Sequence, residues 1–129
     1  MIQRFIELGE GFADIYELIE LAHSSKHRVK HLLSLHTTVN ERKVVSLAVI
    51  LNPSGEGKFQ PIYISLEGIP DPNITPNQRY QLFERTAEEL GYPIIKMDVK
   101  PTTVFPEKEL YYQHLIAILR LNHFIPPLQ

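Results

Sequence analysis

Segments with the 3.6-residue period of a helix alternate along this chain with short β-branched runs, which restricts the fold to a mixed α/β architecture. Ile2 to Leu8 is rich in β-formers and runs into Gly9-Glu10-Gly11, a first strand and turn. Phe12, Ile15, Leu18, Ile19 and Ala22 then recur at spacings of three and four, the apolar stripe of a helix over 12–24 that ends at Ser24-Ser25. Lys43 to Leu51 is β-branched and aliphatic at Val44, Val45, Val49 and Ile50, and reads as a strand. Val29 to Thr38 admits two readings. Val29, Leu32 and Leu33 would share a helical face, whereas Val29, His31, Leu33, Leu35 and Thr37 would share one face of a strand. The intervening Val39-Asn40-Glu41-Arg42 has the chemistry of a tight reversal, which favours a hairpin.

Asn52-Pro53-Ser54-Gly55-Glu56-Gly57 is a loop, and Phe59 to Leu66 is a third meander strand in which Pro61 marks an edge position or a strand start. Gly68 to Asn73, with Pro70 and Pro72, is a second loop. Thr75 suits an N-cap, Pro76 the first helical position and Gln78 a capping box. Tyr80, Phe83, Ala87 and Leu90 continue a helix over 76–90 that Gly91 stops. Ile94 to Val99 is a short strand. Pro106-Glu107-Lys108-Glu109 opens a last helix over 106–124, with acids at its positive end and Pro126-Pro127 beyond it. From Leu115 to Leu121 that helix is apolar on more than one face, so it needs cover from the sheet and from a second surface. The order β-α-β-β-β-α-β-α predicts a single α/β domain over 1–129 with a mixed, mainly antiparallel sheet. The order is loosely like the restriction-endonuclease-like core.

Length and charge narrow the function. A chain of 129 residues can bury one real core and is short for two domains. A formal net charge of −2 offers no global field to recruit nucleic acid or an anionic membrane. With no cysteine, a disulfide framework, a thiolate nucleophile and a cysteine zinc site are excluded. Glu7 and Glu10 interrupt the N-terminal apolar stretch that a signal peptide needs, and no aliphatic run is long enough to span a membrane. The expectation is a soluble cytoplasmic protein.

No motif carries a known chemistry. Gly9-Glu10-Gly11 lacks the third glycine of a dinucleotide fingerprint, and Glu10 and Asp14 put negative charge where a phosphate would sit. Ser54-Gly55-Glu56-Gly57-Lys58 fails as a P-loop because Asn52 and Phe59 stand where glycine and a hydroxyl residue are required. His23, His27 and His31 fall four apart, but Ser24-Ser25 and the strand that follows break the helix on which they would meet, and Lys26, Arg28 and Lys30 repel a cation. Asp98-Val99-Lys100 matches the tail of a nuclease motif, yet the meander strands lack the acids that such a site needs. Glu10, Asp14, Glu17 and Glu20 form an acidic stripe on the first helix that reads as a solvated face. No metal and no cofactor are expected.

Both chain ends bear a likeness. Met1 to Gly11, Glu109-Leu110-Tyr111-Tyr112-Gln113-His114-Leu115 and Asn122-His123-Phe124-Ile125-Pro126-Pro127 resemble a family of uncharacterised small cytoplasmic proteins from Gram-positive bacilli. The resemblance spans the chain and brings no functional residues with it.

Three readings of function follow. The first is a non-catalytic protein acting through self-association or a protein partner, resting on the broadly apolar last helix. The second is a small-molecule enzyme or sensor with a ligand pocket at Tyr111, Tyr112 and His114, where aromatic walls carry polar tips. The third is nucleic-acid contact through the basic patch Lys26, His27, Arg28, Lys30 and His31, which the overall charge disfavours.

Overall fold

The computed structural model describes residues 2–8 and 13–126; the Gly9-Glu10-Gly11 turn, Phe12 and Pro127 lie outside the described residues. Six strands form one mixed sheet: β1 (Gln3–Glu7), β2 (Val29–Val39), β3 (Arg42–Leu51), β4 (Gln60–Ile64), β5 (Ile69–Pro70) and β6 (Ile94–Asp98). The helices are α1 (Ala13–Ser24), α2 (Gln78–Leu90) and α3 (Lys108–Leu121). The strand order is β1-β4-β3-β2-β6, with β5 pairing separately on β3. The meander β2-β3-β4 is antiparallel, while β1 joins β4 and β6 joins β2 in parallel. Among the described residues no helix is long and apolar enough to cross a membrane.

The hairpin forms as its turn chemistry predicts. Val39 pairs with Arg42 across Asn40 and Glu41, whose φ values of 50° and 64° place both central residues in the left-handed region of a two-residue hairpin turn. β2 and β3 are buried on both faces, from Leu32 to Leu35 and from Val45 to Leu51. Such strands carry no clean alternation, because neither side meets water.

Helices cover both faces of the sheet. Ile15, Leu18 and Ala22 of α1 and Tyr80, Phe83 and Ala87 of α2 pack with Leu32, Val45, Leu47 and Val49 on one side. Tyr111, Leu115 and Leu119 of α3 pack with Leu33, Leu35, Ala48, Ile50 and Ile62 on the other. Within the chain α3 therefore buries one stripe at i, i+4 and i+8, while its Leu110 and Leu121 are exposed.

Three local expectations need correction, and one alternative is settled. Ile69-Pro70 is a short strand within the expected loop, since Ile69 is buried and pairs with Val45. α2 is capped by Asn77, not Thr75: the Asn77 side chain accepts the Tyr80 N–H at 2.9 Å and donates to the Pro70 carbonyl. Of the two readings of Pro61, the strand start holds, because it is the second residue of β4 and β4 lies inside the sheet. Asp14 leaves the solvated acidic stripe. It is buried and accepts the Leu66 N–H at 2.9 Å, tying α1 to the segment after β4.

Candidate functional site

Parallel strands β2 and β6 end side by side, and an open cleft of about 600 Å³ lies at their C-terminal ends. Crevices beyond the carboxyl ends of strands are where open α/β sheets commonly hold ligands. The strand period sets what faces it. Ser34, His36 and Thr38 alternate along β2 with Leu33 and Leu35, which point into the α3 side of the core. α2 runs antiparallel to β2, with Tyr80 reaching Ser34 near its start and Tyr92, just past its end, reaching the Val29 carbonyl. The helix therefore starts, with the positive end of its dipole, at the same end of the sheet as the cleft.

A chain of polar side chains runs inward from the cleft wall. His36 Nδ1 lies 3.4 Å from Asp71 Oδ2, and His36 Nε2 lies 2.8 Å from Ser34 Oγ. Tyr80 Oη donates to that same Ser34 oxygen at 3.1 Å. The Asn73 N–H holds the other Asp71 oxygen at 2.9 Å. Burial alone would raise the Asp71 carboxyl; the Asn73 N–H, His36 and the Lys43 charge more than offset this and hold it below its ordinary value. Burial pushes the Tyr80 hydroxyl up, the Ser34 bond opposing it and the charges of Glu84 and Asp71 adding to it.

Around the rim stand Lys43, Lys96, Lys100 and Asp98. Asp71 and Asp98 are the two carboxylates of the lining, so its three ammonium groups leave one positive charge in excess. The spatial order Asp71-His36-Ser34 resembles a hydrolytic triad. The resemblance ends at the serine: Ser34 is 0% exposed and enclosed by Tyr80, so no substrate carbonyl can reach its oxygen.

A family model for a domain of unknown function, DUF7147, matches residues 1–125. The chain belongs to the DUF7147 family. No curated protein and no solved structure matches it.

The residues singled out from sequence occupy other parts of this DUF7147 domain. Tyr111 is buried against Phe105, and its hydroxyl is pushed up to about 12 by burial and by the charge of Glu67. Tyr112 stacks on Phe5 at 4.5 Å between centroids and donates to Glu7, which also pairs with Lys108 at 2.8 Å. His114 accepts the Lys100 N–H at 3.1 Å and lies on Phe105; burial and the Lys100 charge hold its pKa down. The space beside Tyr111 and Tyr112 amounts to about 40 Å³, little more than a water molecule's share of the liquid.

The basic patch sits at the opposite end of β2 from the cleft. Lys26, His27 and Arg28 form a single 3-10 turn, and Lys30 and His31 begin the strand. Arg28 is tied to the Asn52 carbonyl through two guanidinium nitrogens, and His31 packs edge-on against Phe124. His23 lies in the last turn of α1 and pairs with Glu89 at 3.3 Å. The three histidines thus fall on a helix, a turn and a strand. Among the described residues no three His, Asp or Glu side chains are grouped to hold a metal ion.

Asp98 and Lys100 do converge with Asp71 at the cleft, although they come from β6 and its extension, not from the meander. Sequence reasoning missed His36, Ser34, Asp71 and Tyr80. The available signal was the pair Ser34 and His36 at a strand's period of two, polar positions in an otherwise aliphatic run.

Proposed function

We propose that this domain binds a small molecule bearing a phosphate or carboxylate group in the cleft beyond β2 and β6. The observation that carries the reading is a ligand-sized recess whose wall includes Asp71 and His36, backed by the enclosed Ser34 and Tyr80, and whose three lysines outnumber its two carboxylates, Asp71 and Asp98. Its volume of about 600 Å³ lies within the range of small-molecule sites. The dipole of α2 adds positive potential on the same side. The serine is enclosed beneath Tyr80, which speaks for recognition over nucleophilic chemistry. The small-molecule reading therefore moves from the tyrosines of α3 to the far end of β2.

Titration with inorganic phosphate and with a monocarboxylate, followed by amide chemical shifts, tests the site. Perturbation should centre on Lys43, Asp71, Asn73 and the segment 96–100. Lys43 and Lys100 are exposed, so replacing them leaves the core untouched. Each Lys→Ala change should weaken binding up to roughly fivefold, as the loss of one partly solvated ion pair does. Raising the salt should weaken binding of the unaltered chain as well. Binding that perturbs other residues, or that ignores both lysines, would refute the proposal.

A further inference from the structure

We infer that β6 is a self-complementary edge on which a second copy of this chain docks antiparallel, joining two six-stranded sheets into one. β6 ends the sheet, and among the described residues its outer side faces no other strand. The Val99 N–H bonds to His36, so by strand alternation residues 95, 97 and 99 turn their backbone groups to β2. Ile94, Lys96 and Asp98 are left with outward N–H and C=O groups. The next position of that parity, Lys100, gives its N–H to His114, which limits the free edge to the strand itself.

The sequence Ile95-Lys96-Met97-Asp98-Val99 reads as its own complement about Met97. A two-fold axis through that residue, normal to the sheet, sets Met97 against its copy, Lys96 against the copy's Asp98, and Ile95 against the copy's Val99. Lys96 and Asp98 are the positions with free backbone groups, so each Lys–Asp pair is also a hydrogen-bonded pair, formed twice by symmetry. Opposite charges directly across a ladder stabilise it, and like charges oppose it. Lys96 and Asp98 are exposed, and neither has an opposite charge within 4.0 Å in its own chain among the described residues. Ile95, Met97 and Val99 lie on the α3 side, where they belong to or flank the core, so the axis extends an existing apolar layer.

Other registers are poorer. An axis at Lys96 sets that lysine against itself and Ile94 against Asp98. An unpaired edge bearing a lysine can also serve only to repel association, which predicts a monomer.

Sedimentation of the full chain over a concentration series separates these cases. The expected result is reversible dimerisation, with the mass rising to twice the 14.9 kDa of one chain. Lys96→Asp and Asp98→Lys should each weaken the dimer roughly tenfold to a hundredfold by setting like charges opposite twice over. The combined Lys96→Asp, Asp98→Lys chain should dimerise again. Circular dichroism reports that each variant is folded. A monomer at millimolar concentration, or a dimer indifferent to the single changes, would overturn the inference. Mass is read without ligand, so the result is independent of anion binding in the cleft.

Discussion

With its ring proton on Nδ1, His36 closes a run of hydrogen bonds in which each donor has an acceptor. Tyr80 donates to Ser34, Ser34 to Nε2, and Nδ1 to the Asp71 carboxylate. Tyr80→Phe removes one end of the run and should cost about 1 kcal/mol in urea unfolding, the net worth of one hydrogen bond. Asp71 gives a pH signature. Its folded pKa lies below its ordinary value of 3.8, so the stability it adds is complete above 3.8 and fades as pH falls through the folded value. Unfolding free energy followed from neutral into acid should fall less steeply below 3.8 in Asp71→Asn than in the unaltered chain. Parallel curves would mean that the carboxylate is not held down by His36 and Asn73.

At the scale of elements, α2 places the site, since its first turn carries Tyr80 and its cap reaches β5. Pro76 and Gln78 give Thr75 the sequence pattern of a cap, a first helical proline and a capping box, although asparagine is the stronger capping residue. The fold decides for Asn77. Asn77 bonds the Pro70 carbonyl as well as the Tyr80 N–H, while the Thr75 N–H turns back to the Asp71 carbonyl. Asn77→Ala should cost about 1–2 kcal/mol in thermal or urea unfolding, and Thr75→Ala less than about 0.5 kcal/mol. Equal costs would restore the cap that the sequence favours. The ambiguity over 29–38 has a similar origin. Leu32, Leu33 and Leu35 are buried on opposite sides of the sheet, so the run loses the alternation by which a strand is recognised.

For the whole molecule, one sheet separates two apolar layers that share its strands but few side chains. Ile15 lies in the α1–α2 layer and Ile62 in the α3 layer, both fully buried. Ile15→Val and Ile62→Val should each cost about 0.5–1.5 kcal/mol. Their costs should add within about 0.5 kcal/mol, in one cooperative transition, because the two sites share no contact. Two separate transitions would mean that the layers unfold independently.

Periodicity, turn residues and punctuation in the sequence were enough to set three helices, the hairpin and a mixed sheet, because those signals act over a few residues of backbone. The tertiary structure alone decided the site. Asp71 is 35 residues from His36 and Tyr80 is 46 from Ser34, and only the parallel seating of β6 beside β2 brings Lys96, Asp98 and Lys100 to the same cleft. Such meetings depend on strand order and register, which are settled by burial of the whole core and leave no local trace around any one of these residues.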